Sequence, residues 1–114
     1  MLTIYGIGNC DKCRKALRWF ADNGIEHRFH DLRKDGLSKA QAKTWLQQNG
    51  AEALLNRRSA TWRQLTASER AQAEQPAAAD LLLAHPTLLK RPLVESGESL
   101  LVGYDEQAWR KALG

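Results

Sequence analysis

The stretch "LTIYGIGNCDKCRKALRWFADNGIEHRFHDL", Leu2–Leu32, decides the fold. Its first segment, Leu2–Tyr5, is typical of a short buried strand that glycine ends. The apolar residues that follow recur at i, i+3, i+4 and i+7, the spacing of one helix face, and they are Cys13, Ala16, Leu17 and Phe20. Asn23-Gly24 is a helix stop, and Ile25–Leu32 is typical of a second strand. Strand, helix and strand with short links predict a parallel βαβ unit.

The rest of the chain predicts more helices and then a strand pair. The expected elements are a helix, a broken helical stretch, two strands and a final helix, at Ser38–Gln48, Ala51–Leu83, Leu93–Glu95, Ser99–Val102 and Asp105–Leu113. We expect the helical stretch to break near Asn56–Thr61 and again before Pro76. Ser96-Gly97-Glu98 is the expected turn between the two strands. This order predicts an α/β domain with a helical insertion at about 36–88.

Length and composition predict one ordinary globular domain that covers residues 1–114. The chain has 114 residues and a formal net charge of +4, which favours anionic small molecules without requiring nucleic acid. No room for a secretory signal precedes Leu2–Tyr5, and the aliphatic run Leu81–Ala84 is too short to span a bilayer. We therefore expect a cytoplasmic protein that does not bind a membrane, in a compartment where long-lived structural disulfides are rare.

The two cysteines of the chain, Cys10 and Cys13, form a Cys-x-x-Cys motif at the start of the first predicted helix. Asn9 or Cys10 can cap that helix, and unpaired backbone N–H groups at its positive end favour a thiolate at Cys10. Cys13 lies one turn further on, on the apolar face, where it is either a resolving thiol or a small packing residue. The motif favours redox chemistry with Cys10 as the nucleophile.

A metal site is the weaker interpretation of the cysteine pair. A structural zinc site needs further soft ligands, and the chain has no other cysteine. His27, His30 and His85 have no spacing that completes such a site. We therefore expect no metal and no bound cofactor.

The sequence resembles the arsenate reductase-related family, which includes Spx and YffB proteins, and it is most similar to the YffB-like branch. The resemblance covers nearly the whole chain and rests on four stretches in order: "YGIGNCDKCRKALRWF" with "NGIEHRFHDLRKDGL", "EALLNRRSATWRQL", "HPTLLKRPLV" and "LVGYDE". It implies a thioredoxin/glutaredoxin-like core with a mixed four-stranded sheet and a helical insertion. It also implies thiol-based reduction that often uses glutathione as a co-substrate.

The resemblance also implies that certain cations and a proline belong to the site around Cys10. Arginine suits an anionic substrate because its planar guanidinium holds oxyanions bidentately. By resemblance, Arg91–Pro92 is a cis peptide that faces the active cysteine, and Arg58 is the matching arginine of the insertion. Arg57 and Arg63 are neighbouring alternatives to Arg58. Lys12 lies within the motif, where it either meets a glutathione carboxylate or is simply solvated.

Three functions stay open at this point. The first is a glutathione-dependent thiol reductase that acts on glutathione or protein thiols, expected to be a monomer without direct nucleic-acid binding. The second is a Spx-like redox regulator that binds RNA polymerase, although Spx-like chains continue beyond the point where this chain stops. The third is arsenate reductase, which two departures from the family pattern disfavour. Arsenate reductases carry an arginine near the end of the last strand, where this chain has Gly103, and Asn56 stands opposite their first arginine of the insertion.

Overall fold

The computed structural model describes residues 2–74, 77–97 and 99–113. The chain forms two compact units, one made of Met1–Asp35 with Arg91–Gly114 and the other of Gly36–Lys90. The second unit coincides closely with the expected insertion at about 36–88. That residues 1–114 form a single domain stays a prediction. Among the described residues, no helix is long and apolar enough to cross a membrane.

The first unit is built on a mixed four-stranded sheet. Its strands are β1 (Leu2–Gly6), β2 (His27–Asp31), β3 (Leu93–Ser96) and β4 (Ser99–Val102), in the order β2-β1-β3-β4. β1 is parallel to β2, with Ile4 opposite Phe29, and antiparallel to β3, with Tyr5 opposite Leu93. β3 and β4 are antiparallel. The predicted thioredoxin-like sheet, with the first strand in a central position, is therefore confirmed.

The first helix, α1 (Asp11–Asp22), ends as the sequence predicts, but the strand after it begins later than expected. The N–H of Ile25 donates to the carbonyl of Phe20 at 3.0 Å, and the N–H of Gly24 donates to Ala21 at 3.1 Å. These two bonds form the motif that commonly closes a helix with glycine. Because Ile25 is used to finish α1, β2 starts at His27 and not at the predicted Ile25.

One face of the sheet packs against α1 and α7 (Glu106–Leu113). Fully or almost fully buried side chains form this core, namely Leu2, Ile4, Ala16, Phe20, Val94 and Trp109. Three of the predicted helix-face residues, Cys13, Ala16 and Phe20, are buried as expected, and Leu17 packs at the edge of the core. The N–H of Ala108 donates to the carboxylate of Asp105, which confirms the predicted cap of the last helix.

The second unit is more broken than the sequence predicts. Its elements are α2 (Lys39–Asn49), α3 (Ala51–Leu54), α4 (Ala60–Gln64), α5 (Ala67–Ala71) and α6 (Ala78–Ala84), with short 3-10 turns at Gln72–Glu74 and Pro86–Leu88. The hydroxyl of Ser38 caps α2 as expected. The break at 56–61 is confirmed, whereas a further break before α5 was not predicted.

The unpredicted break arises at Thr66. Its hydroxyl accepts the N–H of Glu69, and the Glu69 carboxylate accepts the N–H of Thr66. This reciprocal pair starts a new helix at Ala67 and ends the continuous helical stretch that the sequence suggested. Two smaller predictions involve Pro76 and Glu98, which lie outside the described residues.

Candidate active site at Cys10

Cys10 stands at the mouth of α1, where a tight turn delivers the chain from β1. Its N–H donates to the carbonyl of Ile7 at 3.2 Å, which closes the turn Ile7–Cys10. Its own carbonyl accepts the first helical bond, from the N–H of Arg14 at 3.0 Å. Cys10 is thus the residue that caps α1, with an extended backbone and no side-chain cap bond, and its thiol is partly exposed. The Cys10 thiol therefore lies at a helix N-terminus, as the sequence predicts.

The surroundings of Cys10 favour the thiolate. Partial burial opposes the charge, but the backbone N–H and the thiol of Cys13 donate to the Cys10 sulfur, and the Arg91 guanidinium adds a positive charge and a hydrogen bond. Together these groups hold the pKa of Cys10 below its usual value. A larger thiolate fraction at neutral pH makes Cys10 the better nucleophile of the pair.

Cys13 has the opposite character. Its side chain is 1% exposed, and desolvation raises the pKa of its thiol to about 12, helped by the neighbouring Cys10 and opposed by the N–H of Ile7. At neutral pH Cys13 is therefore a protonated thiol that donates to Cys10. The two sulfurs are free and lie within hydrogen-bonding reach of each other.

Gly6, the last residue of β1, makes room for Cys13. A Cβ atom at Gly6 would lie 2.4 Å from the Cys13 sulfur and 3.2 Å from the Cys13 Cβ. The sequence predicts only that Gly6 ends the strand, because a contact across the βα turn leaves no mark in local sequence patterns. The glycine sets the depth at which the second thiol of the motif packs.

Arg91 acts on both cysteines from the segment just before β3, and Pro92 follows it in the chain. The Arg91–Pro92 peptide bond is cis, as the family resemblance implied, and it leads directly into β3. Arg91 is close enough for its charge to lower the pKa of Cys10 and to oppose the rise at Cys13. Pro92 is buried, and its carbonyl accepts the N–H of Gly103 at 2.9 Å.

Gly103 itself adopts a φ of +87°, a conformation that favours glycine over residues with a side chain. An arginine at this position would therefore be strained.

Two of the predicted binding cations are on the surface. Lys12 is exposed on the first turn of α1. Arg58 is exposed in the second unit, where its N–H donates to the side chain of Asn56 at 3.0 Å. The alternative Arg57 is engaged by Glu52 and Glu74. The role of Arg58 toward Cys10 stays a prediction.

Asp31 is a residue of this region that the sequence analysis did not select. It ends β2, is 8% exposed, and its carboxylate accepts the backbone N–H groups of Gly8, Arg33 and Lys34 at 3.1, 2.9 and 3.2 Å. Desolvation opposes its charge, but these three donors and the charge of Lys34 hold its pKa below the usual value. A strand ending in Asp followed by a polar turn was the available signal, since aspartate commonly accepts N–H groups two and three residues on.

The described residues contain no group of three histidine, cysteine or carboxylate side chains that could hold a metal ion. Two of the three histidines have other partners: the ring of His85 contacts the Glu69 carboxylate at 3.2 Å, and Nδ1 of His27 contacts the carbonyl of Ile25 at 2.8 Å. The chemistry that this site offers on its own is that of a thiolate beside a guanidinium.

Known proteins resemble the chain over its whole length. The ArsC family profile matches residues 5–112. An uncharacterized protein of Haemophilus influenzae is 42% identical over 115 residues, which cover 98% of each chain. The global transcriptional regulator Spx of Lactiplantibacillus plantarum is 30% identical over 99% of this chain and 86% of its own. The solved structure of the protein YFFB superposes with a TM-score of 0.94 at 32% identity and covers both chains completely. The protein belongs to the ArsC family.

Proposed function

We propose that this protein is a thiol–disulfide oxidoreductase that uses Cys10 as its nucleophile and glutathione as its co-substrate. The observation that carries the proposal is the environment of Cys10, a partly exposed cap residue whose pKa is lowered beside Arg91. Membership of a family named for arsenate reduction and the thioredoxin-like sheet agree with this class of chemistry.

The reaction follows from the lowered pKa of Cys10 and the raised pKa of Cys13. The Cys10 thiolate attacks one sulfur of a substrate disulfide; a new S–S bond forms, the old one breaks, and the leaving thiolate takes a proton from solvent. The thiolate of one glutathione then attacks the mixed disulfide, either at the substrate sulfur or at Cys10. A second glutathione then attacks the glutathione mixed disulfide and releases oxidised glutathione. Overall, one substrate disulfide and two glutathione molecules become two thiols and one oxidised glutathione. Cys13, protonated and buried, attacks only if it first loses its proton, so we assign it a secondary role as a resolving thiol.

Arg91 beside Cys10 and the exposed cations Lys12 and Arg58 suit a substrate with carboxylates. Glutathione carries two of them, and a guanidinium binds a carboxylate with two parallel hydrogen bonds. We assign Arg91 to charge stabilisation at the sulfur, and Pro92, Lys12 and Arg58 to binding of glutathione. No resident cofactor or metal is required, and we place the protein in the cytoplasm as a monomer that does not act at membranes or on nucleic acid directly.

A mass spectrum after incubation with oxidised glutathione tests the proposal. The wild-type protein should gain a single glutathione adduct, and peptide mapping should place it on Cys10. The Cys10→Ser variant should gain none, while Cys13→Ser should retain the adduct because its resolving thiol is missing. An adduct on Cys13 alone, or no adduct at any pH near neutrality, would contradict the proposal.

A Spx-like redox regulator is the second candidate. It is favoured by the 30% identity with Spx and by the closeness of the two sulfurs, since a disulfide switch needs both. Under this function an oxidant without glutathione would convert Cys10 and Cys13 to an internal disulfide, and only one redox form would co-purify with RNA polymerase. Arsenate reduction is disfavoured because Gly103, with its φ of +87°, occupies the place of an arginine that the arsenate reductases carry.

A further inference from the structure

The carboxylate of Asp31 ties the end of β2 to the turn that presents Cys10. One carboxylate oxygen, Oδ2, accepts the N–H of Gly8 at 3.1 Å, while Oδ1 accepts the N–H groups of Arg33 and Lys34. Beside this link, the N–H of Leu32 donates to the carbonyl of Gly6 at 2.8 Å. The chain on either side of Ile7 is therefore fastened to β2 at two points.

Gly8 is the second residue of the turn Ile7–Cys10, so its N–H is not used by the turn itself. Gly8 is exposed, and without Asp31 only the bond from the N–H of Cys10 to the carbonyl of Ile7 would hold this peptide plane. The same turn carries the N–H of Ile7, which donates to the Cys13 sulfur, and the N–H of Cys10, which closes the turn. The orientation of this short segment decides where the Cys10 sulfur lies relative to its donors.

Asp31 and Cys10 have different charged neighbours. Asp31 is faced by Lys34, whose charge favours the carboxylate, and by Asp35, whose Oδ2 accepts the N–H of Asp31 at 3.0 Å. Cys10 is faced by Cys13 and Arg91. A buried carboxylate with three backbone donors costs much more to disturb than a solvated one, since each lost bond leaves an unsatisfied group.

We propose that Asp31 is a positioning residue for the nucleophile: by accepting the N–H of Gly8 it fixes the turn Ile7–Cys10 and thereby holds the Cys10 sulfur against the N–H of Cys13 and beside Arg91. This inference rests on the proposed role of Cys10. Asp31 does not contact the sulfur and takes no part in bond making.

The variant Asp31→Asn separates positioning from charge. The amide oxygen of asparagine can still accept the N–H groups of Arg33 and Lys34, but its NH₂ group then faces the N–H of Gly8, which loses its acceptor. Loss of position should raise the pKa of Cys10, whereas loss of a nearby negative charge alone should lower it. The two explanations therefore predict shifts of opposite sign.

The measurement is the rate of Cys10 alkylation by iodoacetamide as a function of pH, with peptide mapping to locate the label. For Asp31→Asn we expect a higher pKa and, at a pH below the pKa of Cys10 in both proteins, a rate about threefold to tenfold below wild type, which corresponds to about half a pKa unit to one unit. Asp35→Asn is the matched control, because it removes the same charge from the same turn and keeps an oxygen for the N–H of Asp31. In Asp35→Asn the pKa of Cys10 should be the same as in wild type or slightly lower.

An unchanged or lowered pKa in Asp31→Asn, or equal shifts in the two variants, would overturn the inference. Circular dichroism at the assay temperature must show a folded protein. If Asp31→Asn unfolds, Asp31→Glu replaces it: the charge is kept, the extra methylene displaces the carboxylate, and the same rise is expected, so a wild-type pKa there refutes the positioning role. Alkylation needs no glutathione, so this result is separate from adduct formation, which tests the proposed function.

Discussion

Substituting Gly6 by alanine tests the close packing of the Cys13 sulfur against the end of β1. The added Cβ would lie 2.4 Å from the Cys13 sulfur, whereas non-bonded carbon contacts are most favourable at about 3.5–4.0 Å. The sulfur cannot retreat freely, because Cys13 is 1% exposed on a helix that packs against the core through Ala16 and Phe20. Either α1 or the end of β1 has to move.

The cost follows from two opposing effects. Overpacking of a well-packed core typically costs about 1–3 kcal/mol. Replacing glycine by alanine recovers about 0.4–1 kcal/mol by restricting the unfolded chain. The middle of each range gives a net loss of about 1.3 kcal/mol in the free energy of unfolding, and at about 4 °C per kcal/mol this lowers the Tm by about 5 °C.

Thermal and denaturant unfolding under reducing conditions measure this loss. Gly8→Ala is the matched control: its Cβ would meet only the Asp31 carboxylate, at 3.4 Å, and its Tm should stay close to that of wild type. Changing Cys13 to alanine removes the sulfur and leaves a nearest contact of 3.2 Å, so Gly6→Ala should cost less in that background. A Gly6→Ala protein as stable as wild type, or an equal cost in both backgrounds, would refute the reasoning.

Three further outcomes are expected. Cys10→Ser should abolish thiol–disulfide exchange, while Cys13→Ser should keep most activity with glutathione and accumulate the adduct at Cys10; an inactive Cys13→Ser beside an active Cys10→Ser would reverse our assignment. Arg91→Met should raise the pKa of Cys10, because its charge stabilises the thiolate, so alkylation should slow at neutral pH and recover at alkaline pH, with Arg28→Met as an exposed-cation control. Arsenate should be a poor substrate, since each lost donor to a charged group costs on the order of 1.5–3 kcal/mol and two would weaken recognition roughly a hundredfold or more. Efficient glutathione-coupled arsenate turnover would contradict this last expectation.

Local patterns were enough to predict the parallel βαβ unit and the first helix, whereas the mixed four-stranded sheet was implied by the family resemblance. The apolar spacing from Cys13 to Phe20, the stop at Asn23-Gly24 and the order of strands all reflect interactions between near neighbours in the chain. The burial of Cys13 and the high pKa of its thiol follow from the same spacing. Periodicity and capping rules express these interactions directly.

What sequence reasoning missed depends on contacts between distant residues or on competing local bonds. Asp31 looked like an ordinary strand residue because its partner Gly8 belongs to another turn. The contact of Gly6 with Cys13 crosses from a strand to a helix. In the second unit, Thr66 formed a capping box with Glu69 where the apolar pattern alone suggested continued helix. Ile25 is not part of β2, because its N–H forms one of the hydrogen bonds that close α1.

The nucleophile and its cation depend on adjacent strands of one sheet. Cys10 follows β1 by a short turn, Arg91 is separated from β3 by Pro92 alone, and the two strands are held in register with Tyr5 opposite Leu93. The chain between them, Gly36–Lys90, leaves the first unit and returns to it just before Arg91. The sequence and length of this second unit can therefore change during evolution, while strand pairing keeps the Arg91 guanidinium close to the Cys10 thiol. Relatives that have diverged widely in their helices should still share this pair of residues. A chimera in which a relative's segment replaces Gly36–Lys90 should keep a lowered pKa at Cys10.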